Sequence, residues 1–124
     1  MPRASERGAV AVEFALLAPV LIMLLLGIME FGRAYNVQAS LSSAAREGVR
    51  VMAISNDKTA AGTAAKNAAV SLSPALTNAN ISFGGDPCTP GAQITLTITY
   101  TLSTITGIAG PFPMTGKGVM LCGG

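Results

Sequence analysis

The chain has 124 residues, of which half are hydrophobic and only 11% are charged, and its formal net charge is +2. That charged fraction is far below the roughly 25% usual in soluble domains. The sequence has two cysteines, no histidine and no tryptophan, which argues against a zinc site, His-based catalysis and a basic, aromatic nucleic-acid surface. We therefore expect a protein without a cofactor, without enzymatic activity and without a nucleic-acid partner.

A short polar leader precedes a long apolar segment. Residues 1–8 (MPRASERG) contain two arginines and predict a cytoplasmic leader. From Ala9 to Met29 only Glu13 interrupts the apolar run, which as a helix would be about 31 Å long, close to the thickness of the hydrocarbon core of a bilayer. We predict a transmembrane helix over residues 9–32.

Three residues within or next to this segment are unusual for a simple membrane anchor. A carboxylate in lipid costs on the order of 2.5–3.5 kcal/mol, so we expect a function for Glu13, the alternative being an acid that snorkels to the interface without a partner. Pro19 removes one helical hydrogen bond and predicts a kink or a locally melted turn. Glu30 lies three residues before Arg33 at the far boundary, where the pair predicts a surface ion pair.

The apolar helix continues into an amphipathic one. No helix breaker lies between Gly32 and Leu41, so we predict one helix from about Ala9 to about Ile54, ended by Ser55–Asp57. Its expected buried face consists of Val37, Leu41, Ala44, Ala45, Gly48 and Met52.

A second, alanine-rich helix is predicted over Thr59–Leu72, ended by Ser73-Pro74. We expect it to pack against the first helix, because alanines recur at helical spacing. Its expected apolar stripe consists of Ala61, Ala64, Ala65, Ala68, Ala69 and Leu72.

The last third of the chain predicts three strands. The first is Ala79–Phe83, followed by a turn over 84–87; the second is Gln93–Leu102, and the third, after a loop over 104–113, is Met114–Cys122. In the second strand, aliphatic residues and Tyr100 alternate with threonines, which is typical of a half-buried antiparallel strand. We interpret the threonine side as solvated, the alternative being a ligand-contacting or carbohydrate-contacting ladder.

Cys88 and Cys122 are either a disulfide or two free buried thiols. We expect the disulfide, because the number of cysteines is even and the region after the span should be exported, where disulfides persist. The predicted fold class is therefore α+β: a long transmembrane helix that continues as an amphipathic helix, a short second helix and a small antiparallel sheet. An extracytoplasmic helical region (33–72) leads into a β-rich domain (73–124).

Two stretches resemble the TadE-like family of pilin-like proteins in tight-adherence (Tad, or Flp-type) type IV pilus systems. They are RGAVAVEFALLAPVLIMLLLGIMEFGRA (residues 7–34) and SSAAREGVRVMA (residues 42–53). The resemblance covers roughly the first half of the chain and implies the lollipop fold of other pilin-like proteins. The matching residues are Gly8, Glu13, Phe14, Pro19, Glu30, Phe31, Gly32, Arg33, Ala44 to Gly48 and Arg50.

The resemblance implies processing and assembly roles for the N-terminal segment. A prepilin peptidase would cut after Gly8 and make Ala9 the new amino terminus, although many pilins have phenylalanine where this chain has Ala9. Glu13 and Phe14 would then be assembly contacts, with the carboxylate of Glu13 paired to the freed amine of a neighbouring subunit. Phe31 lies in the implied membrane-exit motif, which is Glu30, Phe31, Gly32 and Arg33.

The function implied is that of a minor pilin or pseudopilin that helps to assemble a Tad pilus. Its expected partners are the prepilin peptidase, other pilin subunits, the assembly platform and membrane lipid. The expected location is the inner membrane, with the N-terminus in the cytoplasm and the C-terminal domain outside it. The alternatives are a permanently anchored extracytoplasmic adhesion or binding module and, more remotely, a membrane-tethered enzyme or lipid-acting factor.

Overall fold

The computed structural model describes residues 2–72, 74–85, 87–105, 107 and 110–123, with side chains from Glu6 onwards. Its described elements are two α-helices, a short 3-10 helix and a three-stranded antiparallel sheet, which confirms the predicted α+β class. The helices are α1 (Pro2–Ser55) and α2 (Lys58–Ala68), the 3-10 helix is Asn78–Asn80, and the strands are β1 (Ile81–Gly84), β2 (Gln93–Leu102) and β3 (Phe112–Leu121).

The chain divides into two compact units, residues 1–33 and residues 34–124, which we call the N-terminal unit and the head. α1 is a single helix of 54 residues that contributes to both units. It begins earlier than the predicted Ala9, because the polar leader is helical from Pro2 onwards. Proline is well tolerated there, since the first N–H groups of a helix have no intrahelical acceptor.

The end of α1 and the start of α2 lie where the sequence predicts a break. Asn56 adopts a positive φ of 52° and its N–H donates to the Met52 carbonyl at 2.9 Å, a left-handed helix cap. Asp57 then caps α2, because its carboxylate accepts from the N–H groups of Thr59 (2.9 Å) and Ala60 (3.3 Å).

The head is built around the C-terminal part of α1. The predicted buried face of this helix is confirmed at every position: Val37, Leu41, Ala44, Ala45, Gly48 and Met52 are all buried. A Cβ atom added at Gly48 would lie 3.0 Å from Cβ of Ala65 on α2 and 2.6 Å from Cδ1 of Leu96 on β2. Gly48 thus marks the point where α1, α2 and the sheet meet.

α2 packs on α1 as predicted but is shorter. Ala61, Ala65, Ala69 and Leu72 are buried, whereas Ala68 is exposed, so its place in the predicted stripe was wrong. The helix ends at Ala68, and the buried Leu72 follows it in a turn. Ser73, at the predicted helix end, lies outside the described residues, as does Asp86 in the predicted turn.

The sheet has the order β1-β2-β3 with antiparallel pairing throughout. Along β2 the predicted alternation is confirmed, since Ile94, Leu96, Ile98, Tyr100 and Leu102 are buried. The threonines of β2 lie on the opposite face and are half-buried or exposed, in agreement with the solvated interpretation.

Two strand boundaries differ from the prediction. Residues 78–80 form a 3-10 turn, held by the Asn80 side chain against Thr77, so β1 begins only at Ile81. β3 begins at Phe112, inside the predicted 104–113 loop, because Phe112 pairs with Leu102 and Pro113 with Thr101. Residues 106, 108 and 109 of that loop lie outside the described part of the chain.

Candidate functional site

The first part of α1 exposes apolar side chains on all its sides. From Val10 to Phe31 every large hydrophobic residue except Leu26 is between 55 and 76% exposed. A helix that is apolar all round needs a covering of lipid or of other helices. An apolar window in α1 is long enough to cross a membrane, and none of that window is buried.

The predicted processing and assembly residues lie together near the start of this helix. Gly8, Ala9, Glu13 and Phe14 all belong to α1 and are all exposed. Ala9 and Glu13 are four residues apart and share one helix face. Among the side chains that the structure describes, none hydrogen-bonds to Glu13 or forms an ion pair with it. This arrangement leaves its carboxylate available to a second molecule.

Pro19 lies inside α1, which continues through it. Proline has no N–H, so the carbonyl of Ala15 lacks its usual helical donor. A kink at this point stays a prediction. The freed carbonyl gives a neighbouring helix or a side chain something to cover in lipid.

The predicted membrane-exit motif forms one further helical turn. Glu30 and Arg33 are half-buried and three residues apart, while Phe31 is 76% exposed. A Cβ atom at Gly32 would meet nothing within 4 Å, so this glycine leaves an open notch in the helix surface.

The head contains the predicted disulfide. Cys88 and Cys122 are bonded and buried, with their Cα atoms 5.6 Å apart, a separation usual for disulfides. The disulfide joins the segment before β2 to the residue that follows β3. Asn56 fixes the same region, because its side-chain oxygen accepts from the N–H of Cys88 at 3.1 Å.

Sequence reasoning missed the residues that seat the sheet on α1. A Cβ at Gly116 would come within 2.5 Å of the Leu41 carbonyl oxygen, and one at Gly118 within 2.7 Å of the Ala45 carbonyl oxygen. Gln38 adds a hydrogen bond from its amide nitrogen to the Thr115 carbonyl, at 2.8 Å. The signal in the sequence was the spacing of the two glycines, since glycine inside a strand often marks close backbone approach.

Charged side chains of the head lie on its surface. Arg50 donates two hydrogen bonds to Glu47, at 2.6 and 3.3 Å. This hydrogen bonding and the charge of Arg50 lower the pKa of Glu47 below its ordinary value. Both side chains are partly exposed to solvent, so the pair is a surface interaction of small stabilising effect.

One long apolar N-terminal helix followed by a disulfide-bonded α+β head fits the class of single-pass membrane-anchored proteins. Residues 8–50 match the family model of the TadE-like proteins, which confirms the resemblance found in the sequence. Comparison with curated proteins and with solved structures gave no match.

Proposed function

We propose that this chain is a minor pilin or pseudopilin that takes part in assembling a Tad (Flp-type) pilus after prepilin peptidase cleaves it between Gly8 and Ala9. One observation carries the proposal: Gly8 directly precedes the apolar run and stands five residues before Glu13, within the segment that matches the TadE-like model. A simple anchor needs neither this glycine nor an acid in its apolar run.

Electrostatics supply the reason for the acid. Cleavage would create a positive amine at Ala9, and the amine of a neighbouring subunit could pair with Glu13 in surroundings where an unpaired charge is costly. The amine of the same chain competes, because Ala9 lies one helical turn before Glu13. Only the pair between subunits fixes the axial register of two packed helices.

Lateral packing would then replace lipid around α1. The helix presents large apolar side chains on every side, Phe14 among them, and helices in membranes associate through such packing. In this mechanism the lipid contacts are temporary, and the assembly platform passes the helix from the inner membrane to other pilin subunits. The motif from Glu30 to Arg33 would mark where the helix leaves the membrane.

The proposed location has the leader in the cytoplasm and the head outside it. The disulfide of the head supports an exported position, because disulfides persist in oxidising compartments. The two arginines of the leader support a cytoplasmic N-terminus.

The experiment compares Gly8→Ala, Glu13→Gln and Glu6→Gln in cells that make the pilus. We expect the Gly8→Ala chain to accumulate uncleaved. The Glu13→Gln chain should be cleaved and inserted but should lower pilus number at least tenfold, because it cannot pair with the amine. Glu6→Gln is the matched control: it removes an acid that cleavage discards, and pilus number should not change.

Full piliation with Glu13→Gln would contradict the register role. A permanently anchored adhesion module gives a different pattern: its surface binding would persist with Gly8→Ala, and no shortened chain would be found in either variant.

A further inference from the structure

β3 is an edge strand whose outer side has no partner strand among the described residues. It has ten residues and pairs with β2 on one side only. Such an edge offers a row of backbone donors and acceptors to any extended chain that reaches it. β1, at the opposite edge, has only four residues and offers far less.

The hydrogen-bond pattern identifies the free backbone groups. The N–H of Cys122 donates to the Ala92 carbonyl at 2.8 Å, so the backbone groups of Cys122 point towards β2. In an antiparallel strand the N–H and C=O of one residue point to one side, and those of the next residue point to the other side. The continuous β2–β3 register therefore directs the backbone groups of Lys117 and Val119 outwards. Consistent with this phase, the Thr115 carbonyl accepts from Gln38, outside the ladder.

A groove of about 550 Å³ runs along this part of the edge, between β3 and α1. Its charged lining consists of Arg46, Glu47, Arg50 and Lys117. Three cations against one acid leave an excess of positive charge, and Glu47 is already bonded to Arg50. Arg46 and Lys117 have no ion-pair partner within the part of the chain that the structure describes.

We propose that this edge binds an extended, acidic segment of another protein by strand addition. Lys117 and Val119 would supply the backbone hydrogen bonds, while carboxylates of the incoming strand would meet Arg46 and Lys117. The proposal does not rest on cleavage after Gly8, because the groove lies wholly within the head and is the same in the uncleaved chain.

A second copy of this chain is a poorer occupant. Neither β1 nor β3 contains an aspartate or glutamate, so neither edge strand could supply the carboxylates. In the register that sets Lys117 directly opposite Lys117 of a second copy, pairing of β3 with β3 would also be opposed, because like charges directly across strands are destabilising.

The test uses the full-length chain in detergent micelles and two labelled peptides of eight residues. One alternates glutamate with valine, and the control peptide alternates glutamine with valine. We expect the glutamate peptide to bind at least tenfold more tightly and to slow hydrogen exchange at the Val119 amide. Fluorescence anisotropy gives the affinity, and exchange measured by NMR locates the peptide.

Charge variants distinguish binding in this groove from nonspecific attraction of the acidic peptide to a positively charged protein. Arg46→Gln with Lys117→Gln should weaken binding at least tenfold. The matched control, Lys58→Gln with Lys66→Gln, makes the same change in net charge on α2 and should leave binding unchanged. Val119→Pro should abolish binding, because it removes an outward N–H, whereas Val119→Thr should bind normally.

Three results would overturn the proposal. The first is that the two peptides bind with equal affinity or that neither binds. The second is that both double variants lose the same amount of affinity for the glutamate peptide. The third is that, without peptide, protection of the Val119 amide from hydrogen exchange rises with protein concentration. The last would assign the edge to a second copy. The charge variants keep the test decisive should Val119→Pro fail to fold.

Discussion

Gly118 lets α1 approach β3 more closely than any side chain would allow. A Cβ at this position would lie 2.7 Å from the carbonyl oxygen and 2.9 Å from the carbonyl carbon of Ala45. Both atoms belong to the backbone of a helix, which cannot move aside without displacing the residues packed around it. The glycine is therefore required by packing and not by its φ angle.

Gly118→Ala should destabilise the head by about 1–3 kcal/mol, the usual cost of overpacking. Gly62→Ala is the matched control, since its Cβ would meet only the Asn78 side chain at 3.7 Å. That change should stabilise the head by about 0.5–1 kcal/mol, because alanine has a higher helix propensity than glycine. Denaturant unfolding followed by tyrosine fluorescence measures both changes in stability. An unchanged stability of Gly118→Ala would contradict the close packing.

Glu47 and Arg50 form a pH-dependent pair on the exposed side of α1. The pKa of Glu47 is lowered in the folded head by the Arg50 hydrogen bond, so the carboxylate stabilises the fold at neutral pH. This contribution is complete above the ordinary glutamate pKa of about 4.3. It is lost as the pH falls through the lower pKa of the folded state.

Glu47→Gln should therefore lower the Tm slightly at pH 7 and leave it unchanged below the folded-state pKa. Thermal unfolding at a series of pH values checks this. Arg50→Gln is the control: in that background Glu47→Gln should have no effect on the Tm at any pH, because the partner is gone. If Glu47→Gln lowered the Tm more at acid pH than at pH 7, the assigned stabilisation by the ionised carboxylate would be contradicted.

At the scale of elements, regular patterns predicted the structure and irregular ones did not. β2 and the buried face of α1 could be predicted, because apolar residues alternate with polar ones along β2 and recur at three- and four-residue steps along α1. The start of β3 could not, since Pro113 signals a loop. The alternation of hydrogen bonds along β3 places the backbone nitrogen of Pro113 on the free edge of the sheet. Its missing N–H is tolerated there, because no partner strand needs it.

The end of α2 was also missed, since the alanine pattern continues past it. Ala69 and Leu72 are buried at helical spacing, yet the helix stops at Ala68. A turn follows, in which the N–H of Leu72 donates to the Ala69 carbonyl at 3.3 Å. Burial of an apolar side chain does not require that its backbone be helical.

The disulfide links two distant stretches of the head. It closes a loop of 34 residues that contains β2 and β3. In the chain-entropy account such a bridge stabilises by about 3–4 kcal/mol, through its effect on the unfolded state. The N–H of Gly123, next to it, donates to the Ala53 carbonyl at 3.0 Å and holds this part of the chain on α1.

Replacing both cysteines, Cys88→Ser with Cys122→Ser, should lower the free energy of unfolding by about 3–4 kcal/mol. Reduction of the unchanged chain should give a similar loss, which separates the effect of the bond from that of the serine hydroxyls. Denaturant unfolding with and without reductant measures both. A loss under about 1 kcal/mol would contradict the assigned role.

At the scale of the whole molecule, the two units differ in how far sequence explains them. The N-terminal unit could be described from composition and spacing, because an apolar run and its interruptions are visible along the chain. The groove beside β3 could not, since Arg46 and Lys117 are far apart in sequence and meet only through the packing of β3 on α1.

We propose that cleavage after Gly8 makes the apolar helix a processed assembly element and not a permanent anchor. N-terminal sequencing of the chain, isolated from cells with and without their prepilin peptidase, tests it most directly. We expect a mature chain that begins at Ala9 when the peptidase is present and an uncleaved chain when it is absent. A chain that still begins at Met1 or Pro2 in cells with an active peptidase would contradict it.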